Sequence, residues 1–527
     1  MVFLFCRAHS QGKKMDSTVV AVAVLVTPIL ASILGASAPY TRLQPQLAAR
    51  IASSIVGVGF GASIWLAIVI ALSGPVPVSI GAAKFVVDAF AVTMLLLVLG
   101  LSAVIQSFAV RYLRGDVRQG WFVATANLVT ALTALMVSSE TLFTFAASWV
   151  SAGIALVLLL ATYPKIAQAR DGIRRTALNF AIGDLAFLLA VATVAARAGG
   201  DVPLAQLGVQ LAAMPSWMSI AVSLLLVLPA LARSSQVPFH WWLPSTLAAP
   251  TPVSALMHAG VVNAGAILVI RFAPALGESA IAMNLIFVAG ATTLVYASIV
   301  RLAKPDVKGK LVFSTMGQMG FMMMACGLGA FAAAVFHLIA HGLFKSALFL
   351  GAGMAVREHR VRREWPIQSR PRVAVVVAAT AIAIVIPVGA LAIARALLAP
   401  EVSSVSLALL AFVAFSGAVA LRAALLVRFS LATLAIGLGS MVGLALAYTA
   451  FLSIFDGILA ADVALQPASP WLLLPVAAAL IITEVIARNT GAPRTIHRIL
   501  YARSLSAATP RTSNSRRFGP TVKGAMS

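Results

Sequence analysis

The stretch FHLIAHGLFKSALFLGAG places His337, His341 and Lys345 at i, i+4 and i+8 in an otherwise apolar run. On a helix each step of four advances about 40° beyond a full turn, so the three polar groups form one slightly slanted line on one face. Such a line suits a proton or hydronium relay. Histidine donates and accepts near neutral pH, and a lysine in a low-dielectric site can lose its proton because burial disfavours the charged form. Protons fit this line better than sodium, which would want several oxygen ligands. The alternative is that both histidines are satisfied bundle residues and Lys345 snorkels to the interface. Two histidines without a third ligand do not make a zinc site.

A second cluster, ARSSQVPFHWWLPSTLAAPTPVSALMHAGVVNAG, combines Arg233, His240, His258 and Asn263. Arginine stays protonated, so Arg233 would be a fixed charge that tunes its neighbours rather than a proton carrier. His258 either carries protons or makes a structural hydrogen bond to a neighbouring helix. His240, Trp241 and Trp242 read as interface anchors, since tryptophan favours the headgroup level. Asp88, Glu140, Asp184 and Glu484 are acids within or at the ends of apolar runs, and Asp184, in NFAIGDLAFLLA, is the best placed to pair with a base or relay a proton. Glu140 reads equally as a solvated helix end. Lys308 and Lys310 follow Asp306 and either line a cytoplasmic half-channel or form a positive-inside flank.

The elements that must position these groups follow from composition. Of 527 residues 61% are hydrophobic and only 10% charged, against about a quarter charged in soluble domains. Apolar runs of about 20 residues, the length of one crossing, recur from Ser17 to Arg488, about fifteen in all. Lipid offers no partner to a bare N–H or C=O, and runs of this length exclude strands. The expected fold is therefore all-α, a polytopic transmembrane bundle of about 14–16 helices. Residues 213–248 contain Pro229, Pro238 and Pro244, with Arg233 to Gln236 between the first two, which predicts a broken helix. Residues 373–397, with Pro387 followed by Arg395, repeat that pattern weakly, and two interrupted segments in the two halves point to inverted repeats.

The net charge of +23 does not indicate nucleic acid, because the basic residues are spread over short loops and the tail rather than gathered in one stripe. They set topology instead. The loops bearing Arg111, Arg114 and Arg118, then Lys165 to Arg175, Arg301 to Lys310 and Arg357 to Arg372, are expected on the cytoplasmic side. The uncharged loop around Pro75 and the acidic one with Asp456 and Asp462 then fall outside. Residues 17–488 form the expected transmembrane domain and 489–527 a basic cytoplasmic tail of disordered composition. Alternation puts the N-terminus outside although Arg7, Lys13 and Lys14 precede the first span, so residues 1–16 read as an extension, with translation expected to start at Met15. Residues 17–35 lack a clear cleavage site and read as a retained helix rather than a signal peptide. Cys6 and Cys326 are the only cysteines, which excludes a disulfide framework and a Cys-based zinc site. No nucleotide loop or nucleophile–base pair occurs, so no catalytic centre and no cofactor are expected in this chain.

The blocks VDAFAVTML, RYLRGD, GDLAF, SSQVPFHWWLP, APTPVSALMHAG, DVKGKLVFSTMGQMGF and HLIAHGLFKSALFLGAG resemble, across residues 84–356, the proton-conducting membrane subunits shared by respiratory complex I and Mrp-type antiporters. The resemblance implies Asp184 as the sixth-helix acid, Arg233 at the broken-helix lysine position and His258 as the next relay histidine. It further implies Lys308 as the connecting lysine and His337, His341 and Lys345 as the second channel. One departure bears on the first half-channel: those subunits follow the fifth-helix tryptophan with a glutamate, whereas Trp149 is followed by Val150. The usual glutamate–lysine pair cannot form here, and Arg233 does not deprotonate reversibly. Within the superfamily, PTPVSALMHAGVVNAG, the FHWWLP variant and the short C-terminus are most similar to the membrane subunits of two-component DAB inorganic carbon transporters. That similarity implies a large cytoplasmic zinc-binding DabA-like partner with a β-carbonic-anhydrase-like site, a place in the cell inner membrane, and cation flow that energises conversion of CO2 to bicarbonate. The alternatives are a proton or sodium/proton module of a complex I-like or Mrp-like assembly, and a scaffold that no longer conducts.

Overall fold

Chain segments that meet lipid must close their hydrogen bonds locally, and in the computed structural model the apolar runs do so as helices. The structure describes residues 2–41, 43–304, 306–352, 373–398, 404–427, 429–459 and 465–488. In chain order these form α1 (Val2–Ser37), α2 (Pro45–Ser73), a hairpin of β1 (Val76–Ile80) and β2 (Ala83–Val87), α3 (Ala89–Tyr112), α4 (Gln119–Ser138) and α5 (Leu142–Leu160). There follow α6 (Ala167–Ala198), α7 (Leu207–Ala212), α8 (Ser216–Arg233), α9 (Thr251–Ala259), α10 (Ala264–Arg271), α11 (Ala273–Leu276), α12 (Ala280–Ala303), α13 (Val307–Gly327) and α14 (Phe331–Leu350). The remainder is α15 (Val373–Leu398), α16 (Ser404–Val427), α17 (Leu431–Leu459) and α18 (Leu473–Arg488). Among the described residues twelve spans, α9 and α10 together counting as one, are long and apolar enough to cross a membrane. The chain is thus the multi-pass helical membrane bundle expected. The basic loop before α15, Asp462 and the tail after Arg488 lie outside the described residues.

Several local outcomes differ from the sequence expectation. Residues 84–87, within the apolar stretch expected to be transmembrane helix, belong to β2, which pairs antiparallel with β1 from Val76↔Val87 to Ile80↔Ala83. The helix starts only after Asp88, whose carboxylate accepts from the Ala91 amide at 2.7 Å and so fixes the first turn. Pro387 does not break its helix, since α15 runs without interruption from Val373 to Leu398. A single proline costs one intrahelical bond, which a membrane helix tolerates. The second interruption lies elsewhere: α9 stops at Ala259, Gly260 ends it, and a 3-10 turn over Val261–Asn263 leads into α10. Trp242 is no interface anchor, because it is fully buried and its indole N–H donates to the Ala232 carbonyl at 2.9 Å. His240 is also buried, packed edge-on to Tyr296, whereas Trp241 is half exposed as an anchor should be.

Small residues set the closest helix contacts. A Cβ at Gly320 of α13 would lie 2.6 Å from the Gly290 carbonyl oxygen of α12, and one at Gly327 would lie 2.6 Å from the Phe287 nitrogen. The two backbones therefore touch, which is how membrane helices gain packing energy when lipid tails are as apolar as their side chains. At the basic end, Arg118 donates to the Thr162 and Ala161 carbonyls at 2.8 and 3.0 Å, answering carbonyls left open at the C-terminus of α5. The Tyr163 hydroxyl donates to Asp116. Burial, then the Asp116 carboxylate, pushes this phenol up to about 12, so it remains a donor at every physiological pH.

Overpacking at such a contact costs about 1–3 kcal/mol. Gly320→Ala should lower the thermal unfolding midpoint in detergent and the yield of monodisperse protein, while Gly57→Ala, where an added Cβ meets nothing within 4 Å, should change neither.

Candidate functional site

Two irregular segments meet at the centre of the bundle. The window across Thr251–Arg271 is 94% buried, against 11% for Leu431–Phe455, so the interrupted span is the innermost. After α8 ends at Arg233, Ser235 adopts a left-handed conformation with φ 54° and a 3-10 turn runs from His240 to Thr246. The freed backbone groups find partners. The Gln236 amide donates to the Leu231 carbonyl at 2.9 Å, the Val237 amide to the Thr293 hydroxyl at 2.9 Å, and Asn179 to the Ala232 carbonyl at 3.1 Å. The Ser234 hydroxyl donates to the Val262 carbonyl at 2.8 Å and so ties one interruption to the other. Gly265 permits that approach, since a Cβ there would sit 2.2 Å from the Ala230 oxygen.

Arg233 is 1% exposed, at the C-terminal end of α8 where the helix dipole favours a cation. Its Nη2 donates to both oxygens of Asp184, on α6, at 2.8 and 3.0 Å and to the Trp149 carbonyl at 3.2 Å. The Trp149 indole N–H donates to the same carboxylate at 2.8 Å. The guanidinium lies over Trp149 and Phe180, with its carbon 4.6 and 4.3 Å from the ring centroids. Gly153 makes the space, because a Cβ there would stand 2.2 Å from Nη2. The carboxylate that faces Arg233 is thus supplied by Asp184, one helix away from Val150. Charge, hydrogen bonds and cation–π contact all hold this pair together.

The second centre lies where α14 packs against α13 and α9. Three rungs join α14 to α13: Lys345 Nζ donates to the Ser314 hydroxyl at 2.9 Å, His341 Nδ1 lies 2.8 Å from Gln318 Oε1, and the His337 ring sits 5.0 Å from that of Phe321. Gly342 lets α14 close on α9, and His341 Nε2 comes within 3.1 Å of the His258 carbonyl oxygen. The His258 ring, 1% exposed, stacks on Phe349 at 4.4 Å. The His337 and His341 rings are near parallel with centroids 5.9 Å apart. Lys308 Nζ donates to the Leu247 carbonyl at 2.7 Å and to that of Ala249, bridging α13 to the turn that precedes α9. Neither Lys308 nor Lys345 takes part in an ion pair among the described residues.

The residues singled out from sequence therefore fall into two groups. Asp184 and Arg233 pair with each other; His337, His341 and Lys345 lie along α14 with His258 packed against that helix, and Lys308 reaches the turn before α9. Asp88 instead joins Arg271 at the hairpin end, with Nη2–Oδ1 3.0 Å and Nη1–Oδ2 2.5 Å, as a clamp between α3 and α10. The side chain of Glu484 lies outside the described residues. Sequence reasoning missed Arg271, Gly153, Gly342, Ser314 and Gln318. Only the last two carried a signal: they stand at i, i+4, the spacing of His341 and Lys345 on the facing helix.

The profile described as NADH:quinone oxidoreductase/Mrp antiporter, TM, matches residues 139–414, just over half the chain and all seven pathway candidates. That described as NADH-Ubiquinone oxidoreductase (complex I), chain 5 N-terminus, matches 78–123. A Halothiobacillus neapolitanus protein named "Probable inorganic carbon transporter subunit DabB1" is 40% identical over 280 residues, covering 52% of this chain and 50% of its own length. A Bacillus subtilis protein named "Probable inorganic carbon transporter subunit DabB" is 35% identical, covering 52% and 54%. A "NADH-quinone oxidoreductase subunit L" of Neisseria meningitidis is 32% identical, covering 52% and 42%. The chain spans about half the length of the curated relatives it matches. In fold it is similar to a chain of the Mrp complex from Dietzia sp. DQ12-45-1b, with TM-score 0.61, 24% identity, and 95% and 58% of the two chains covered. It is also similar to a chain of an archaeal membrane-bound sulfane sulfur reductase, with TM-score 0.58, 17% identity, and 93% and 98% covered.

Removing one partner of a buried ion pair costs about 3–5 kcal/mol, because the other charge is left uncompensated. Arg233→Ala should therefore lower the unfolding midpoint far more than Arg233→Gln combined with Asp184→Asn, as followed by thermal unfolding in detergent.

Proposed function

Because the chain belongs to the NADH:quinone oxidoreductase/Mrp antiporter transmembrane family, we propose that it moves protons across the membrane as the membrane subunit of an inorganic carbon uptake system. The observation that carries the translocation reading is the contact of His341 with the His258 carbonyl across two helices, which joins the α14 line to the interrupted span. Around it stand a lysine and two more histidines without ion-paired carboxylates among the described residues, groups whose protons can exchange. The 5.9 Å between the His337 and His341 ring centroids calls for bridging water between the rings rather than direct transfer. The Asp184–Arg233 pair, by contrast, is a fixed element that holds α6 to the helix break and sets the local potential. In this reading conduction runs from Lys308 by way of His258 and Lys345 to His341 and His337, in the cell inner membrane.

The carbon reading rests on the likeness to inorganic carbon transporter subunits at 40% and 35% identity and on the blocks around residues 251–265. It assigns the CO2 chemistry and its zinc to a large cytoplasmic DabA-like subunit, with this chain supplying cation flow. A second reading, a proton or sodium/proton module of a complex I-like or Mrp-like assembly, is favoured by the 32% identity to the Neisseria meningitidis subunit. Affinity purification from native membranes separates them: a large zinc-containing soluble protein supports the first, redox subunits or further antiporter chains the second.

His341→Ala and Lys345→Ala should each abolish rescue of a carbonic-anhydrase-deficient bacterium growing in air, in cells that also carry the partner gene. Membrane levels should stay at those of the parent chain, and rescue by both variants at the parental rate would reduce this bundle to a scaffold.

A further inference from the structure

The two ring nitrogens of His341 face groups of different kinds. Nε2 lies 3.1 Å from the His258 carbonyl oxygen, and a carbonyl only accepts, so Nε2 carries a proton. In the neutral ring Nδ1 is then a lone pair that needs a donor; in the imidazolium it is an N–H that needs an acceptor. Nδ1 is 2.8 Å from the amide of Gln318. An amide answers both states, offering Oε1 to the imidazolium and, after half a rotation about its last torsion, its NH2 to the neutral ring. No hydrophobic residue can do this, and a carboxylate can answer only one state without taking up a proton itself.

The surroundings leave the amide free for that role. Ser314, one turn away on α13, is engaged with Lys345. Gln318 and His337 both line a cavity of about 670 Å³ between α12–α14 and α15–α17, so one side of the amide meets open space rather than packed side chains. The titratable groups acting on His341 are His337 and Lys345 on its own helix and His258 on α9. On α13 the group at this level is the amide itself.

We propose that Gln318 is a positioning residue that holds His341 with its proton on Nε2 and turns its amide as Nδ1 takes up a proton from water in that cavity and returns it there. This rests on the pathway reading above and adds to it a residue that carries no proton itself. The full chain, reconstituted in liposomes with the subunits that co-purify with it, is assayed with an internal pH dye under a potassium diffusion potential. Gln318→Met, which keeps the volume and removes the hydrogen bond, should lower proton flux about tenfold or more at unchanged protein incorporation. Gln318→Glu, which when ionised accepts only and favours the doubly protonated ring, should move the flux–pH profile to higher pH. A residue that merely packs would leave both unchanged. Wild-type flux and an unshifted profile in both variants, with His341→Ala inactive, would overturn the role of Gln318 and leave the pathway standing. Wild-type flux in His341→Ala would remove the pathway and this role with it.

Discussion

A peptide group that leaves a helix inside a bilayer has no water to turn to, and the centre of this protein contains two such departures. Both interruptions, after Arg233 and at Gly260, lie at the most buried place in the bundle, and each is answered by its neighbours. Thr293, Asn179, Trp242 and the Ser234 hydroxyl satisfy the backbone of one break or tie it to the other. Without these partners each bare group would cost several kcal/mol, about as much as a domain's whole margin of stability. The rest follows from this constraint. α6 must lie close enough to donate from Asn179, α12 close enough for the Thr293 hydroxyl to accept from the Val237 amide, and α9 must present its carbonyls to α14.

The two charged centres resolve the same cost of burial in opposite ways. At Arg233 the cation is matched by Asp184, steadied by the Trp149 indole and covered by two aromatic faces. Such a site gains little by changing its protonation. At Lys345 the ammonium has a hydroxyl and a distant carbonyl for company, and Lys308 has two carbonyls. Neutral partners solvate a charge without pairing it. The two centres thus differ in kind: a matched ion pair at Arg233, and cations among neutral partners at Lys345 and Lys308.

Much of this was legible in the sequence because it depends on neighbours along the chain. Run length and polarity specify membrane helices, helical periodicity aligns His337, His341 and Lys345, and three prolines around Arg233 announce a break. The failures were of a different kind. Pro387 was read as a second break, yet α15 runs through it; Gly260 was not singled out, yet α9 ends there. A lone proline or glycine states a local weakness, and whether the helix yields depends on whether partners for the freed groups stand nearby.

By itself the sequence determined that the chain crosses a membrane many times as helices, which side chains with exchangeable protons lie within those crossings, and which of them share a face. Only the tertiary structure decided their partners: Asp184 with Arg233 rather than with a relay, Asp88 with Arg271, Trp242 on the broken helix rather than at the lipid surface, and Gln318 against His341. These pairings join residues from 10 to 183 positions apart, across gaps set by glycines such as Gly153, Gly265 and Gly342. Periodicity orders one helix; contact between helices is fixed by how closely their backbones approach.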